Sequence, residues 1–76
     1  MVPRMEQAFL DFVSEILGCR ASMDTAYGAI PQWDSVMHIR LVMEIQERYG
    51  VEIPLEAIAD IRKASDFLKF LPQNAG

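Results

Sequence analysis

The sequence lacks the residues that most chemical sites need. It has one cysteine and one histidine, Cys19 and His38. Cys19 has no second cysteine for a disulfide, and one Cys with one His falls short of the three or four ligands of a zinc site. Ser35 lies one helical turn before His38, but a nucleophile also needs an oriented base and oxyanion donors, which this spacing does not supply. We therefore predict no metal site, no catalytic residue and no enzyme activity.

Long apolar runs and an excess of basic residues are also missing. No run approaches the roughly 18 residues of a membrane span, and the first residues carry an acid, Glu6, in place of a signal-peptide core. Seven basic residues against 11 acidic ones give a formal net charge of −4. This balance disfavours nucleic-acid binding and suits protein partners with basic surfaces. We expect a cytoplasmic monomer without membrane contact, since a reducing compartment suits an unpaired cysteine.

Helical periodicity is what the chain does contain. Its 76 residues are enough for a single domain, residues 1–76. Apolar residues recur at intervals of three and four, which predicts an all-α fold. A long loop, Cys19 to Asp34, separates the first two helices, and its length suggests that Tyr27, Ile30 and Trp33 pack it down. The predicted helices are Pro3 to Leu17, Ser35 to Tyr49, a short Leu55 to Ile61, and Ala64 to Leu71, followed by a tail.

The second predicted helix has a wider apolar sector than one neighbouring helix requires. It should therefore pack against several elements or flank a cavity. Met37 is predicted to project from the polar arc of this helix and to be solvated, with the alternative that it covers the loop around Trp33. His38 is predicted to be part packed and part wet. The main buried arc is predicted to contain Leu41, Val42, Ile45 and Tyr49, and the residues that widen it are Val36, Ile39 and Met43.

Asp34 and Ser35 immediately precede this helix. Both residue types are good N-caps, and most such pairs serve only as caps. The positions three residues further on hold Met37 and His38, so a capping box is incomplete. A serine at a helix start also lies where free N–H groups and the helix dipole favour an anion. The pair therefore has two interpretations: a simple cap, or a place that holds a phosphate.

Nearly the whole chain resembles the acyl carrier proteins. The resemblance covers the long first helix, the loop before Asp34-Ser35-Val36, the helix SVMHIRLVMEIQERYG, the link VEIP, a short third helix and the closing ASDFLKFL. It implies a small four-helix bundle with three longer helices and one short helix. In this family the serine of an Asp-Ser-Leu motif carries 4′-phosphopantetheine, and here Val36 replaces the usual leucine. The resemblance thus implies attachment at Ser35, with Asp34 as a motif residue.

The same resemblance implies what the protein works with. Expected partners are a phosphopantetheinyl transferase and acyl-loading, synthase or transferase enzymes, which Val36, Met37 and Arg40 would contact. Fatty-acid carriers have an acidic exposed face on helix two, whereas here Arg40 and Arg48 balance two glutamates. Trp33 and His38 around the serine also resemble stand-alone carriers of specialised pathways, so such a carrier is expected. Its load stays open between fatty acyl, polyketide, aminoacyl and hydroxyacyl groups. The rival hypothesis is an unmodified helical interaction module that serves as a subunit of a larger assembly.

Overall fold

A computed structural model describes residues 4–72 of the chain. Within that range it contains helices α1 (Arg4–Leu17), α2 (Ser35–Tyr49) and α3 (Leu55–Ile58), followed by a 3₁₀-helix at Ala64–Phe70. The prediction of a small all-α bundle is confirmed. The predicted helix start at Pro3 and the tail beyond Pro72 lie outside the described residues.

Helix α2 begins and ends where the sequence predicts. Gly50 follows its last residue with φ +64°, and its N–H bonds the carbonyl of Gln46. A left-handed residue at this position satisfies carbonyls that the helix leaves open, and glycine adopts it without steric strain.

The last two helical elements are shorter or tighter than predicted. Helix α3 ends at Ile58 and not at Ile61, because the chain continues in i→i+3 turns, with Asp60 N–H bonding Ala57 and Ile61 N–H bonding Ile58. The C-terminal element is a 3₁₀-helix that ends at Phe70. Its start is held by the Asp66 carboxylate, which accepts hydrogen bonds from the N–H groups of Arg62 and Lys63. These bonds hold the pKa of Asp66 below its usual value.

The long loop is fixed by backbone pairing as well as by side chains. Tyr27 N–H donates to the carbonyl of Arg62 at 2.7 Å, and Ala64 N–H donates to Thr25 at 3.0 Å. Trp33 is fully buried, while Tyr27 and Ile30 are only partly covered. The prediction of a loop packed against the bundle is therefore correct, with Trp33 as its main anchor. The segment that joins α3 to the 3₁₀-helix is its backbone partner.

An aromatic cluster forms the centre of the core. Phe9 lies 6.2 Å from both Phe67 and Tyr49, measured between ring centroids, and Trp33 stacks on Phe67 at 6.5 Å. Such ring pairs add roughly 0.5–1.5 kcal/mol each beyond the area they bury. Tyr49 is only half-buried, and its ring also meets Phe12 of α1. Within the predicted buried arc of α2, three of four positions are buried: Leu41, Val42 and Ile45.

Candidate functional site at the start of helix α2

Asp34 caps α2 and fixes the direction in which the chain enters the helix. Its backbone is extended, with φ −99° and ψ −173°, and its Oδ1 accepts a hydrogen bond from Met37 N–H at 2.9 Å. Its carbonyl accepts from His38 N–H at 2.9 Å. The capping interpretation of Asp34 is therefore correct, and it leaves the neighbouring serine outside the cap.

Ser35 is the first residue of α2, and its side chain is exposed. Among the described residues, its Oγ has no hydrogen-bond partner, and neither do the N–H groups of Ser35 and Val36. Two open N–H groups at the positive end of a 15-residue helix favour a negatively charged group. The residues present therefore fit a phosphodiester on the Ser35 oxygen, because the hydroxyl is accessible and the nearby donors are unused.

His38 is buried, contrary to the prediction that it would be partly wet. Only 6% of its surface is exposed. Trp33 Nε1–H donates to His38 Nδ1 at 3.0 Å, and His38 Nε2 lies 3.0 Å from the carbonyl oxygen of Ile58. Both ring nitrogens are thus engaged, and the ring cannot serve as a base for Ser35.

The three residues expected to contact partners have different environments. Val36 is 79% exposed, and Arg40 is also exposed, with its Nε 3.6 Å from a Glu44 carboxylate oxygen. An exposed pair of this kind contributes less than about 1 kcal/mol to stability, but it neutralises charge locally. Met37 is half-buried and packs against the core, so the prediction of a solvated methionine is wrong.

An exposed apolar strip starts directly after Ser35. The predicted wide apolar sector of α2 is real, but part of it faces outward: Val36, Ile39 and Met43 are 79%, 49% and 62% exposed. Leu55 of α3 is 81% exposed and lines a groove together with Ile39 and Met43. The position of Leu55 right after Pro54, at a helix start, was the available signal that it need not face the core. We call these four residues the apolar strip.

A groove of about 530 Å³ separates α2 from α3. It shares Ile39, Met43 and Leu55 with the apolar strip, and Val42 and Ile58 also line it. A cavity that is mainly apolar and open to solvent suits an apolar chain. The prediction that α2 flanks a cavity is therefore confirmed, and this cavity lies on the same side of α2 as the exposed strip.

Comparison with known proteins identifies the family. The family described as "Phosphopantetheine attachment site" matches residues 33–71, just over half of the chain, including the whole of α2 and the residues around Ser35. The chain belongs to this family. It is also 24% identical over 76 residues to an acyl carrier protein of Rickettsia bellii (strain RML369-C), a match that covers 96% of this chain and 88% of that protein. No solved structure matches the chain.

Membership in the family decides several predictions. The protein is a carrier of the acyl carrier type and not an enzyme, and its cofactor is covalently attached 4′-phosphopantetheine. Carriers of this family work with modifying enzymes and synthases. Among the described residues, no group of histidine, cysteine or acidic side chains could hold a metal ion. In the same part of the chain, every helix is too short or too polar to cross a membrane.

Proposed function

We propose that Ser35 is the attachment residue and that the carrier holds acyl or related intermediates as thioesters for biosynthetic enzymes. The observation that carries the proposal is the exposed Ser35 hydroxyl at the start of α2, beside unused N–H donors and inside the matched family region. An arm on a fixed serine gives its load a high effective concentration at successive enzyme sites.

The residues around Ser35 have separate tasks in this proposal. Asp34 holds the helix start through its bond to Met37 N–H. The N–H groups of Ser35 and Val36 would stabilise the phosphodiester charge, with the helix dipole behind them. When attached, the cofactor supplies a thiol that carries the acyl group. The chain itself contributes position and no bond-making side chain.

The groove between α2 and α3 gives an apolar load a place to avoid water. Ile58 and the nearly buried Ile53 both line this groove, whereas Ile61 is 1% exposed and belongs to the core. Ile39 and Met43 supply the opposite wall. Covering a chain of several methylenes here would contribute roughly 0.8 kcal/mol for each methylene buried.

Attachment is tested by modification in vitro. The protein is incubated with coenzyme A, Mg²⁺ and a broad-specificity phosphopantetheinyl transferase, and its intact mass is recorded. The wild type should gain one phosphopantetheine, and Ser35→Ala should gain none. Ser22→Ala is the matched control, because Ser22 is another exposed serine, hydrogen-bonded within its own turn to Thr25. An arm that maps to any other serine would refute the assignment.

Family membership argues against the rival hypothesis of an unmodified interaction module, and the same experiment tests that hypothesis directly on this chain. An unmodified module needs no accessible serine at this helix start and would stay unmodified with several transferases. We favour the carrier because the Ser35 oxygen has no structural partner among the described residues, so folding alone does not explain it.

We further propose that partner enzymes meet the carrier at Val36 and Arg40, with Met37 contributing only its uncovered part. The two exposed side chains lie within two helical turns of Ser35. Arg40 would repel partners that present basic patches to an acidic helix, which selects against fatty-acid-type enzymes. Those partner enzymes would determine which group is loaded onto the carrier.

The Arg40 proposal is tested by reversing its charge. Arg40→Glu should improve modification by, or binding to, enzymes with basic docking patches. Arg48→Glu makes the same charge change two turns further along α2, where Arg48 lies over the Phe12 ring, and serves as the control. Equal improvement from both variants would show a general charge effect and contradict a contact at Arg40.

We propose that the carrier works in the cytoplasm as a monomer, and that residues 1–76 form its single domain.

A further inference from the structure

The buried His38 ring has no task in the carrier function. It lies one helical turn after Ser35, 6% exposed, with the Tyr27 ring stacked on it at 4.7 Å between ring centroids. It joins three parts of the fold: the loop at Trp33, its own helix α2, and the end of α3 at Ile58. A polar side chain buried among apolar neighbours calls for a reason beyond filling space.

The two hydrogen bonds of the His38 ring depend on each other. The indole N–H of Trp33 can only donate, so His38 Nδ1 must be an acceptor. The carbonyl of Ile58 can only accept, so Nε2 must carry the hydrogen. The Ile58 carbonyl and the Trp33 donor therefore require the same ring tautomer, with hydrogen on Nε2. Donation to Nδ1 also polarises the ring and strengthens the bond from Nε2–H to Ile58, so loss of the Trp33 donor should weaken that bond and let the ring turn.

Helix α3 depends on side chains of α2 for its position. None of its four residues is buried. On one side of it, Ile53 N–H donates to Gln46 Oε1 at 2.8 Å, and at its end the His38 ring bonds Ile58. His38 and Gln46 are eight residues apart, which places these two hydrogen bonds about 12 Å apart along α2. Two polar contacts thus flank the α3 wall of the groove, and Ala57 and Ile58 of α3 also pack against the core.

We propose that His38 is a positioning residue that couples the loop before Ser35 to helix α3. Trp33 orients and polarises the ring, the ring holds the carbonyl of Ile58, and Ile58 sets the position of the α3 wall of the groove. A change at Trp33 is therefore transmitted to α3 through the His38 ring. The coupling is a property of the folded chain and does not depend on attachment at Ser35.

The proposal is tested first by the spectrum of the ring. In ¹⁵N NMR, the two ring nitrogens of His38 should give well-separated resonances that show a single tautomer with hydrogen on Nε2. Trp33→Phe keeps an aromatic ring in the core but removes the donor and part of the indole volume. In this variant the two resonances should move apart, Nδ1 because it loses its donor and Nε2 because its bond to Ile58 weakens. An unchanged Nε2 resonance in Trp33→Phe would overturn the proposal.

The second test measures local opening of α3 by amide hydrogen exchange. The amides of Ala57, Asp60 and Ile61, which close the turns in and after α3, are compared with that of Val13 in α1. In His38→Leu, exchange of the α3 amides should rise about five- to tenfold relative to Val13, as expected when one hydrogen bond is lost. In Trp33→Phe the bond is weakened and not lost, so the rise relative to Val13 should be smaller, about two- to threefold. An equal rise in both helices would show a merely structural effect and overturn the proposal.

Two further variants keep this test decisive. His38→Gln offers an amide oxygen for Trp33 and an amide N–H for Ile58, so the ratio of exchange rates should stay near the wild-type value. Phe67→Leu weakens the core at the ring that stacks on Trp33, without touching the His38 bonds, and should raise exchange evenly. If His38→Leu does not fold, Trp33→Phe alone decides the outcome. A selective rise at α3 in Phe67→Leu would contradict the assigned route.

Discussion

The two helices that flank α2 differ in how firmly they are held. Helix α1 has 14 residues and contributes four buried side chains, Phe9, Leu10, Val13 and Leu17. Helix α3 has four residues and contributes none. Since burial of apolar surface is the main stabilising term in a domain of this size, α1 belongs to the stable part of the fold. The position of α3 depends instead on two hydrogen bonds, on its buried flanking residues and on the partly buried Ala57 and Ile58.

This difference matches the division between scaffold and site. The groove lies between α2 and α3, so one of its walls comes from the firmly packed helix α2 and the other from the weakly packed helix α3. Elements that move on ligand binding come from the least stable parts of a fold. A carrier that must cover and release its load needs one rigid wall and one that can yield.

The largest effect on the free energy of unfolding is expected in the firmly packed helix α1. Phe9 is fully buried and its ring meets both Tyr49 and Phe67. Phe9→Ala should lower the free energy of unfolding by about 3–5 kcal/mol, as for a large buried aromatic side chain. In a domain of this size that is a large fraction of the total stability. Urea unfolding followed by circular dichroism measures it, and a loss below about 1.5 kcal/mol would remove the distinction between the two sides.

The sequence predicted those features that depend on local patterns. The bounds of α2 and the Asp34 cap follow from residue type and spacing over a few positions. For the Asp34-Ser35 pair, the resemblance to acyl carrier proteins added the expectation of an attachment site. These features account for most of the candidate site.

The errors concern contacts between residues that are distant in the sequence. His38 was predicted to be partly wet because periodicity along α2 does not reveal that Trp33 and the Ile58 carbonyl would engage both ring nitrogens. Met37 was predicted to be solvated because its angle on the helix does not show how the rest of the chain covers it. The early end of α3 reflects the burial of Ile61 outside the helix, to 1% exposure. Backbone bonds and packing across the fold decide each case.

A smaller effect, dependent on pH, is expected where α2 meets α1. Partial burial raises the pKa of Tyr49 above its usual value of 10.0, although the nearby Arg48 charge opposes the shift. In the unfolded chain the phenol ionises at its usual pKa, so ionisation favours unfolding. The contribution of neutral Tyr49 to stability should be complete below pH 10 and should fall as the pH rises through the raised pKa.

Tyr49→Phe provides the matched control, because it keeps the ring contacts with Phe9 and Phe12 and removes the hydroxyl. The difference in unfolding free energy between wild type and Tyr49→Phe, measured in urea from pH 8 to 11, should shift against the wild type at the alkaline end. Ionisation of Tyr27 cancels in this comparison, since both proteins contain it. A difference that stays constant over the whole range would show that the Tyr49 phenol is not desolvated by its packing on α1.

The smallest effect is expected on the weakly held side. Leu55 is 81% exposed in α3, so Leu55→Ala removes apolar surface that already faces water. The free energy of unfolding should stay within about 0.5 kcal/mol of the wild type, as for most surface substitutions. Ile58→Ala, in the same helix but half-buried against the core, is the matched variant and should cost more, about 1–2 kcal/mol. A loss above about 1.5 kcal/mol for Leu55→Ala would mean that α3 stabilises the fold as α1 does. In the expected pattern, Leu55→Ala hardly changes the free energy of unfolding and Phe9→Ala lowers it strongly. The apolar strip would then be free for the carried group and its enzymes.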